Sequence, residues 1–172
     1  MIKLVREPRE QLIVDLLTSN WNSSNTHGLT PSVIYAEPDE SPDTAYIAVE
    51  QYSEGPLGGG STGYDGIDPT GGSPHQTISG SVPVHLYADD TELSGASTGS
   101  AKVYLTGSGS TGGAVDEVQR IIRANAVSPT NPSTSNTPVD IISPTTFNRV
   151  PEPDEPTTAH YAGEVLYLYS TA

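Results

Sequence analysis

No cysteine occurs anywhere in the chain. Disulfide frameworks, thiolate metal sites and cysteine nucleophiles are therefore excluded together, although the compartment is left open. Lysine is nearly missing as well, with Lys3 and Lys102 the only two. Lysine and arginine together number 7 against 21 aspartates and glutamates, a formal net charge of -14. DNA, RNA and anionic lipid each need a basic footprint, so this balance argues against a direct nucleic-acid or membrane partner. Long apolar runs are also lacking. In the opening segment MIKLVREPREQLIVDLL, charges interrupt every apolar stretch, so neither a signal peptide nor a membrane span is expected there. Phenylalanine and tryptophan occur once each, as Phe147 and Trp21, whereas tyrosine occurs nine times.

A chain of 172 residues fits one domain and is long enough to bury a core without staples. Two explanations compete for its acidity. One is an ordinary acidic surface. The other is salt adaptation: in molar salt the Debye length falls to about 3 Å, acid–acid repulsion is screened, and a carboxylate-rich surface stays hydrated. The severe lysine depletion and the even spread of acids favour the second. Asn22-Ser23-Ser24 fits a glycosylation sequon, but chance explains it better without a secretion signal.

Amphipathic periodicity predicts a helix over Glu7 to Trp21, where Leu12, Ile13, Leu16, Leu17 and Trp21 recur at spacings of three and four. Pro8 is tolerable only in its first turn. Ser32 to Ala36 and Thr44 to Tyr52 read as strands, with the acidic turn Glu37 to Asp43 as a hairpin loop between them. Ser53 to Pro74 is Gly/Ser/Pro/Thr-rich and reads as a long loop. Gln76 to Ala88 is the clearest strand, alternating Ile78, Gly80, Val82, Val84, Leu86 and Ala88 with polar or aromatic neighbours. Pro83 is expected on an edge or at a bulge. Ala101 to Thr106 reads as a short strand and Gly107 to Gly113 as a linker. A second helix is expected over Ala114 to Ala126, with Val115, Val118, Ile121 and Ile122 on its apolar face and Asp116 and Glu117 at its positive end. Beyond the polar linker Pro129 to Pro138, Val139 to Ile142 and Tyr161 to Tyr169 read as strands, separated by a Pro/acid turn at Val150 to Pro156. The order predicts a single α+β domain over 1–172, a mostly antiparallel sheet with two helices on one face, and flexible loops at about 53–75 and 89–113.

Few residues suggest chemistry. G-x-S-x-G occurs around Ser61 and Ser97, but a nucleophile elbow needs a strand before the serine and a helix directly after it. Gly112-Gly113 is followed by Ala114-Val115 where a phosphate cradle would need lysine and then serine or threonine. His27, His75, His85 and His160 show no metal-ligand spacing and read as surface or strand-edge side chains. The acid clusters at Glu37 to Asp43, at Asp89, Asp90 and Glu92, and at Glu152 to Glu155 lack a calcium-loop pattern; Asp65-Gly66-Ile67-Asp68 is a faint echo of one. No catalytic, cofactor or metal residue is assigned, and the chain is not read as an enzyme. Tyrosine has an apolar ring and a polar tip, so Tyr64, Tyr161, Tyr167 and Tyr169 are candidate interface residues, with strand-edge positions as the alternative.

Four segments taken together, EQLIVDLLTSNW, TISGSVPVHLYA, AVDEVQRIIRANA and HYAGEVLYLYS, resemble in order and type the tail-terminator and tail-completion (head–tail joining) proteins of long-tailed viruses. The resemblance is one of pattern across most of the chain, and the Gly/Ser loops depart from the compact form. It implies a virion structural protein, assembled in the host cytoplasm, that forms a homo-oligomeric ring of six copies. That ring would cap the tail tube and join it to the neck, with the tail tube protein and a neck or stopper protein as partners. With the salt-adapted composition, the host implied is a halophilic archaeon. The competing readings are another neck, connector or tail protein, an acidic extracellular adhesion domain, and, most remotely, a hydrolase built on Ser61 or Ser97.

The charge balance has a measurable consequence. Thermal melts should move upward between low and molar KCl, because screening removes repulsion within a surface of net charge -14. A midpoint that stays level or falls with salt would rule out salt adaptation.

Overall fold

The computed structural model describes residues 8–35, 45–57, 76–90, 100–154 and 157–171. It is an α+β fold whose seven strands form one sheet. The elements are α1 (Pro8–Asn20), a 3-10 turn (Ser23–Asn25), β1 (Ser32–Tyr35), β2 (Ala45–Val49), β3 (Ser53–Pro56) and β4 (Gln76–Asp89). They continue with α2 (Ala101–Thr106), α3 (Ala114–Ala124), β5 (Ile141–Pro144), β6 (Asn148–Val150) and β7 (Thr158–Thr171).

The sheet is built on β4 and β7, which pair antiparallel along their full length, from Gln76 opposite Thr171 to Asp89 opposite Thr158. Each carries two short strands on its outer edge. β2 and β3 pair with successive parts of β4, and β5 and β6 with successive parts of β7. Period-two alternation sends Val82, Val84, Leu86, Ala88 and Val165 to one face, where each is buried. All three helices contribute to the same core: Leu12, Leu16 and Leu17 from α1, Tyr104 and Leu105 from α2, and Val118, Ile121 and Ile122 from α3.

In α1, Pro8 occupies the first turn, where its missing N–H removes a donor that has no helical partner anyway. Residues Leu12 to Leu17 are all buried, because the helix is flanked by β1 and β2 on one side and α3 on another. Its first turns are also pinned by polar contacts. Tyr35 Oη donates to Gln11 Oε1 at 2.7 Å, Tyr52 N to Glu10 Oε1 at 3.0 Å, and Arg9 to Tyr169 Oη at 2.6 Å. The helix ends in a turn in which Asn22 Oδ1 accepts from Ser24 N and the Trp21 indole N–H reaches Leu29 O at 3.2 Å. The asparagine of the sequon thus serves as a cap.

Several expectations need correction. β1 and β2 run parallel, with Val33 opposite Ile47 and Tyr35 opposite Val49, so they are not the arms of a hairpin. Residues 37–43 themselves lie outside the described residues. Alternation reveals which face a residue occupies, but it reads the same in either strand direction, so direction could not be inferred from it. Ser53–Pro56, placed in a loop, is an edge strand on β4. β6 was likewise not anticipated. Pro83 lies in a central strand, at the one place where the ladder on β4 is interrupted between β2 and β3. Its carbonyl accepts from Glu50 N at 3.0 Å on that side, so its missing N–H points into the break.

Ala101–Thr106 is a helix, which makes three helices among the described residues instead of two. Ala101, Tyr104 and Leu105 are the buried positions, a spacing of three and four that fits a helix and not a strand. Ser100 caps it, Asp90 Oδ1 accepts from Ala101 N at 2.6 Å, and Gly107 closes it at φ +83°. Gly107 to Gly113, read as a linker, is a tight turn closed by paired backbone hydrogen bonds between Ser108 and Thr111. Part of the segment expected to be flexible is therefore regular structure.

Gly80 shows how closely the central strands fit the rest. A Cβ there would run into the Tyr167 ring and lie 2.5 Å from Ser53 O. Gly80→Ala should destabilise the fold by about 2 kcal/mol or more, because a strand backbone and a buried ring would both have to move. A urea midpoint within error of wild type would contradict this packing.

Candidate functional site

The face of the sheet turned away from the helices has two distinct ends. Near β2 and the start of β7 it carries a stack of rings. Tyr46 and Tyr87 lie 4.6 Å apart between centroids, and Tyr87 and His160 lie 4.1 Å apart, both pairs stacked. Cross-strand register builds the stack. Tyr46 pairs with Tyr87 across β2 and β4, and Tyr87 pairs with His160 across β4 and β7. His85 is diagonal to His160, and His85 Nδ1 lies 2.8 Å from His160 Nε2. A carboxylate closes each end of this histidine pair. Glu152 Oε1 is 2.6 Å from His160 Nδ1, and Glu50 Oε1 is 3.4 Å from His85 Nε2. His160 is buried and Glu50 and Glu152 are partly exposed, so the chain of groups runs from solvent through the sheet surface and back.

The other end of the same face is a shallow groove of about 610 Å³. Small side chains form its floor, among them Ser53, Gly55, Ser79 and Ser81, and Leu166 and Leu168 form its wall. Leu166 and Ile141 are each 44% exposed here.

The candidate tyrosines occupy the opposite face. Tyr167 is only 3% exposed and donates to Glu54 Oε2 at 2.8 Å, so it is a core residue. Burial pushes its hydroxyl up, and Glu54 adds to that. Tyr169 also donates to Glu54, accepts from Arg9, and lies under the Arg9 guanidinium at 4.6 Å. Tyr161 packs against the main core. Tyr167 serves the fold of its own chain, while Tyr161 and Tyr169 are partly buried on the same face, which the pairing of β7 with the even-numbered alternation of β4 sets. Tyr64, Ser61, Ser97, His75, Asp65 and Asp68 lie outside the described residues.

Among the acid clusters, Asp89 accepts from the Thr157 and Thr158 hydroxyls and Asp90 caps α2. Among the described residues no group of three or more His, Asp or Glu is arranged to hold a metal ion. The histidine pair was invisible in the sequence because His85 and His160 are 75 positions apart and meet only through strand register. His85 sits on the polar phase of the alternating strand β4, whereas the phase of β7 that carries His160 also carries Ala162, Leu166 and Leu168, so no shared pattern marks the pair.

Glu117 was the other unforeseen residue. Instead of a solvated first-turn acid it is a 1% exposed carboxylate. It accepts from Asn22 N at 2.9 Å, Asn25 Nδ2 at 2.8 Å and Arg120 Nε at 2.8 Å, joining α3 to the turn after α1. Burial alone would push its carboxyl up. The hydrogen bonds from Arg120, Asn25 and Asn22 outweigh that and hold it below the usual carboxylate value.

No protein-family model matches this sequence, and no curated protein matches it.

Glu117→Ala would leave three donors without their acceptor and should cost about 2–3 kcal/mol in urea unfolding. Because the folded carboxyl titrates below its unfolded value of about 4.3, its stabilisation is present above that pH and is lost as pH falls through the lower folded value. Wild type should therefore lose more stability below about pH 4 than the variant does. Parallel acid profiles would show that Glu117 carries no such linkage.

Proposed function

We propose that this chain is a virion structural protein, a tail terminator that closes into a ring on the end of a tail tube and joins it to the neck. The observation that carries the reading is an asymmetry of cover. Three helices bury one face of the sheet, while the groove end of the other face exposes Leu166 and Ile141 beside a floor of small side chains. The outer edge of β1 has no strand partner among the described residues, whereas that of β5 is partly covered by residues 126–128 through Ile142 N to Ala126 O and Ser128 N to Asp140 O. Unpaired edges and exposed aliphatic surface are liabilities in a free monomer and are ordinary in a subunit that meets neighbours. Repeated head-to-tail contact between such surfaces closes a ring when the rotation between copies divides the circle.

The element order supplies the rest of the argument, through its resemblance to tail-completion proteins. The mechanism is geometric. One face of a six-membered ring meets the last layer of the tube and stops its growth, and the other receives the neck or stopper protein. Nothing in this role calls for a cofactor, a metal or a catalytic residue. The exposed surface, not the tyrosines of β7, is assigned the contact with a neighbouring copy. Placement elsewhere in the neck or tail of the same virion uses the same surfaces. An acidic extracellular adhesion domain is the reading outside the virion.

The assembled particle decides. A density map at molar salt should hold six copies of this chain in one ring at the junction of tube and neck. Leu166→Asp should remove the ring without unfolding the monomer, since that side chain is half-exposed already. A single copy per particle, or absence from the particle, would refute the proposal.

A further inference from the structure

The large aliphatic side chains that are exposed among the described residues, Leu57, Val127, Ile141 and Leu166, gather at the groove end of the sheet. Strand register brings them there from four separate segments. One cross-strand row runs Ser53, Ser81, Leu166 and Ser143. The next runs Gly55, Ser79, Leu168, Ile141 and Val127, the last through its bridge to Ile141. Leu57 stands at the corner, where its N–H donates to Thr77 O at 2.8 Å. The two rows make a trough of small side chains beside an aliphatic ridge. At a strand spacing of about 4.8 Å and a rise of about 3.3 Å per residue, the patch measures about 19 Å by about 13 Å. That is about 250 Å², against about 800 Å² per partner in a stable interface between folded surfaces. The patch is too small to hold two folded copies face to face, and its length matches about four residues of extended chain.

Charge narrows the choice of occupant. No lysine or arginine lines the groove among the described residues. Exposed Glu164 lies two positions from Leu166 on the same face, and exposed Asp140 precedes Ile141. The site suits a short aliphatic segment that carries positive charge. Outside the described residues, one stretch of this acidic chain has that chemistry: MIKLVRE, residues 1–7. It holds Met1, Ile2, Leu4 and Val5 together with Lys3 and Arg6. The stretches 36–44, 58–75 and 91–99 contain Ile67 and Leu93 as their only large aliphatic residues, and no lysine or arginine.

We infer that the groove receives residues 1–7 of a neighbouring copy, with Ile2 and Leu4 against Leu166 and Ile141 and the basic residues beside the exposed carboxylates. The inference rests on the ring reading and names the contact that would close the ring. Pro8 opens α1, and Arg9 beside it reaches Tyr169 on the helix side of the sheet. The segment thus leaves one copy from the helix side, whereas the groove lies on the opposite face. Contact between two different surfaces is head-to-tail, the kind that closes a ring. Seven residues span up to about 24 Å, enough to leave α1 and cross a neighbour's patch.

The test uses the full chain in molar KCl, with Ile2→Asp and Leu4→Asp to disable its own segment, and the synthetic peptide MIKLVRE as probe. Methyl resonances of Leu166, Leu168, Ile141 and Val127 should shift saturably as peptide is added. A control peptide with serine in place of Ile2, Leu4 and Val5 should leave them where they are. Adding Leu166→Asp should weaken peptide binding about tenfold or more, because an aliphatic contact is lost and a charge must be desolvated. In the wild-type chain the same resonances should move toward the peptide-bound positions as protein concentration rises from about 20 μM to about 1 mM, a range that a mass-action contact between copies responds to. Absence of peptide binding would overturn the inference even if the particle holds six copies. Wild-type positions that ignore concentration would overturn it too, since the segment would then act within one chain or not at all. Peptide binding and concentration dependence, with no ring in the particle, would refute the ring and keep the contact.

Discussion

The antiparallel ladder between β4 and β7 is the constraint on which the rest of the structure depends. Fourteen residues of each strand pair in unbroken register, and the ladder alone decides which side chains share a face. A slip of β7 by one residue against β4 would send Val165 and Tyr167 to the face turned away from the helices and bring His160 under the helices. Both the apolar core and the histidine pair therefore follow from a single choice of register. The four short strands on the outer edges of these two extend the sheet without setting its register, since each covers only part of its long neighbour.

Helix packing on this sheet is secured at two polar points. At the first, Arg9, Glu10 and Gln11 on α1 reach Tyr169, Tyr52 and Tyr35, and Glu54 gathers Arg9, Tyr167 and Tyr169. At the second, Glu117 of α3 holds the turn after α1. Apolar contact is non-directional and would tolerate several helix positions on the same sheet. These hydrogen bonds are directional, and in a buried setting an unmade one costs more than a made one contributes. They select one arrangement among those that burial would allow.

The acidic composition takes a different form in three dimensions than it does along the chain. Asp89, Asp90, Glu117 and Glu152 are each engaged by a specific donor or ring nitrogen. Acids that looked like solvated clusters are partly caps and clasps. Salt screening acts on the remainder, at the surface, and acts least on a buried group such as Glu117. The face turned away from the helices combines buried Tyr46, Ala48, Tyr87 and His160, flanked by partly exposed carboxylates, at one end with exposed Leu166 and Ile141 at its groove end, so its two halves differ in chemistry.

Much of this was legible from residue order. The α+β class, α1, α3, β4 and the burial of Val118, Ile121 and Ile122 on α3 follow from periodicities of 3.6 and 2, because burial on one side of a regular element imposes its period on the sequence, and β7 follows from its richness in tyrosine, leucine and valine. α2 was misread because a six-residue segment is too short for its period to be distinctive, and its valine and tyrosine favour strands. β3 and β6, of four and three residues, are too short to show alternation at all. The parallel run of β1 and β2, the inward position of Tyr167 and the meeting of His85 with His160 were set by the tertiary structure alone. Each depends on which strands lie side by side, in which direction and in which register. A sequence specifies those through contacts between distant residues, and no local pattern records them.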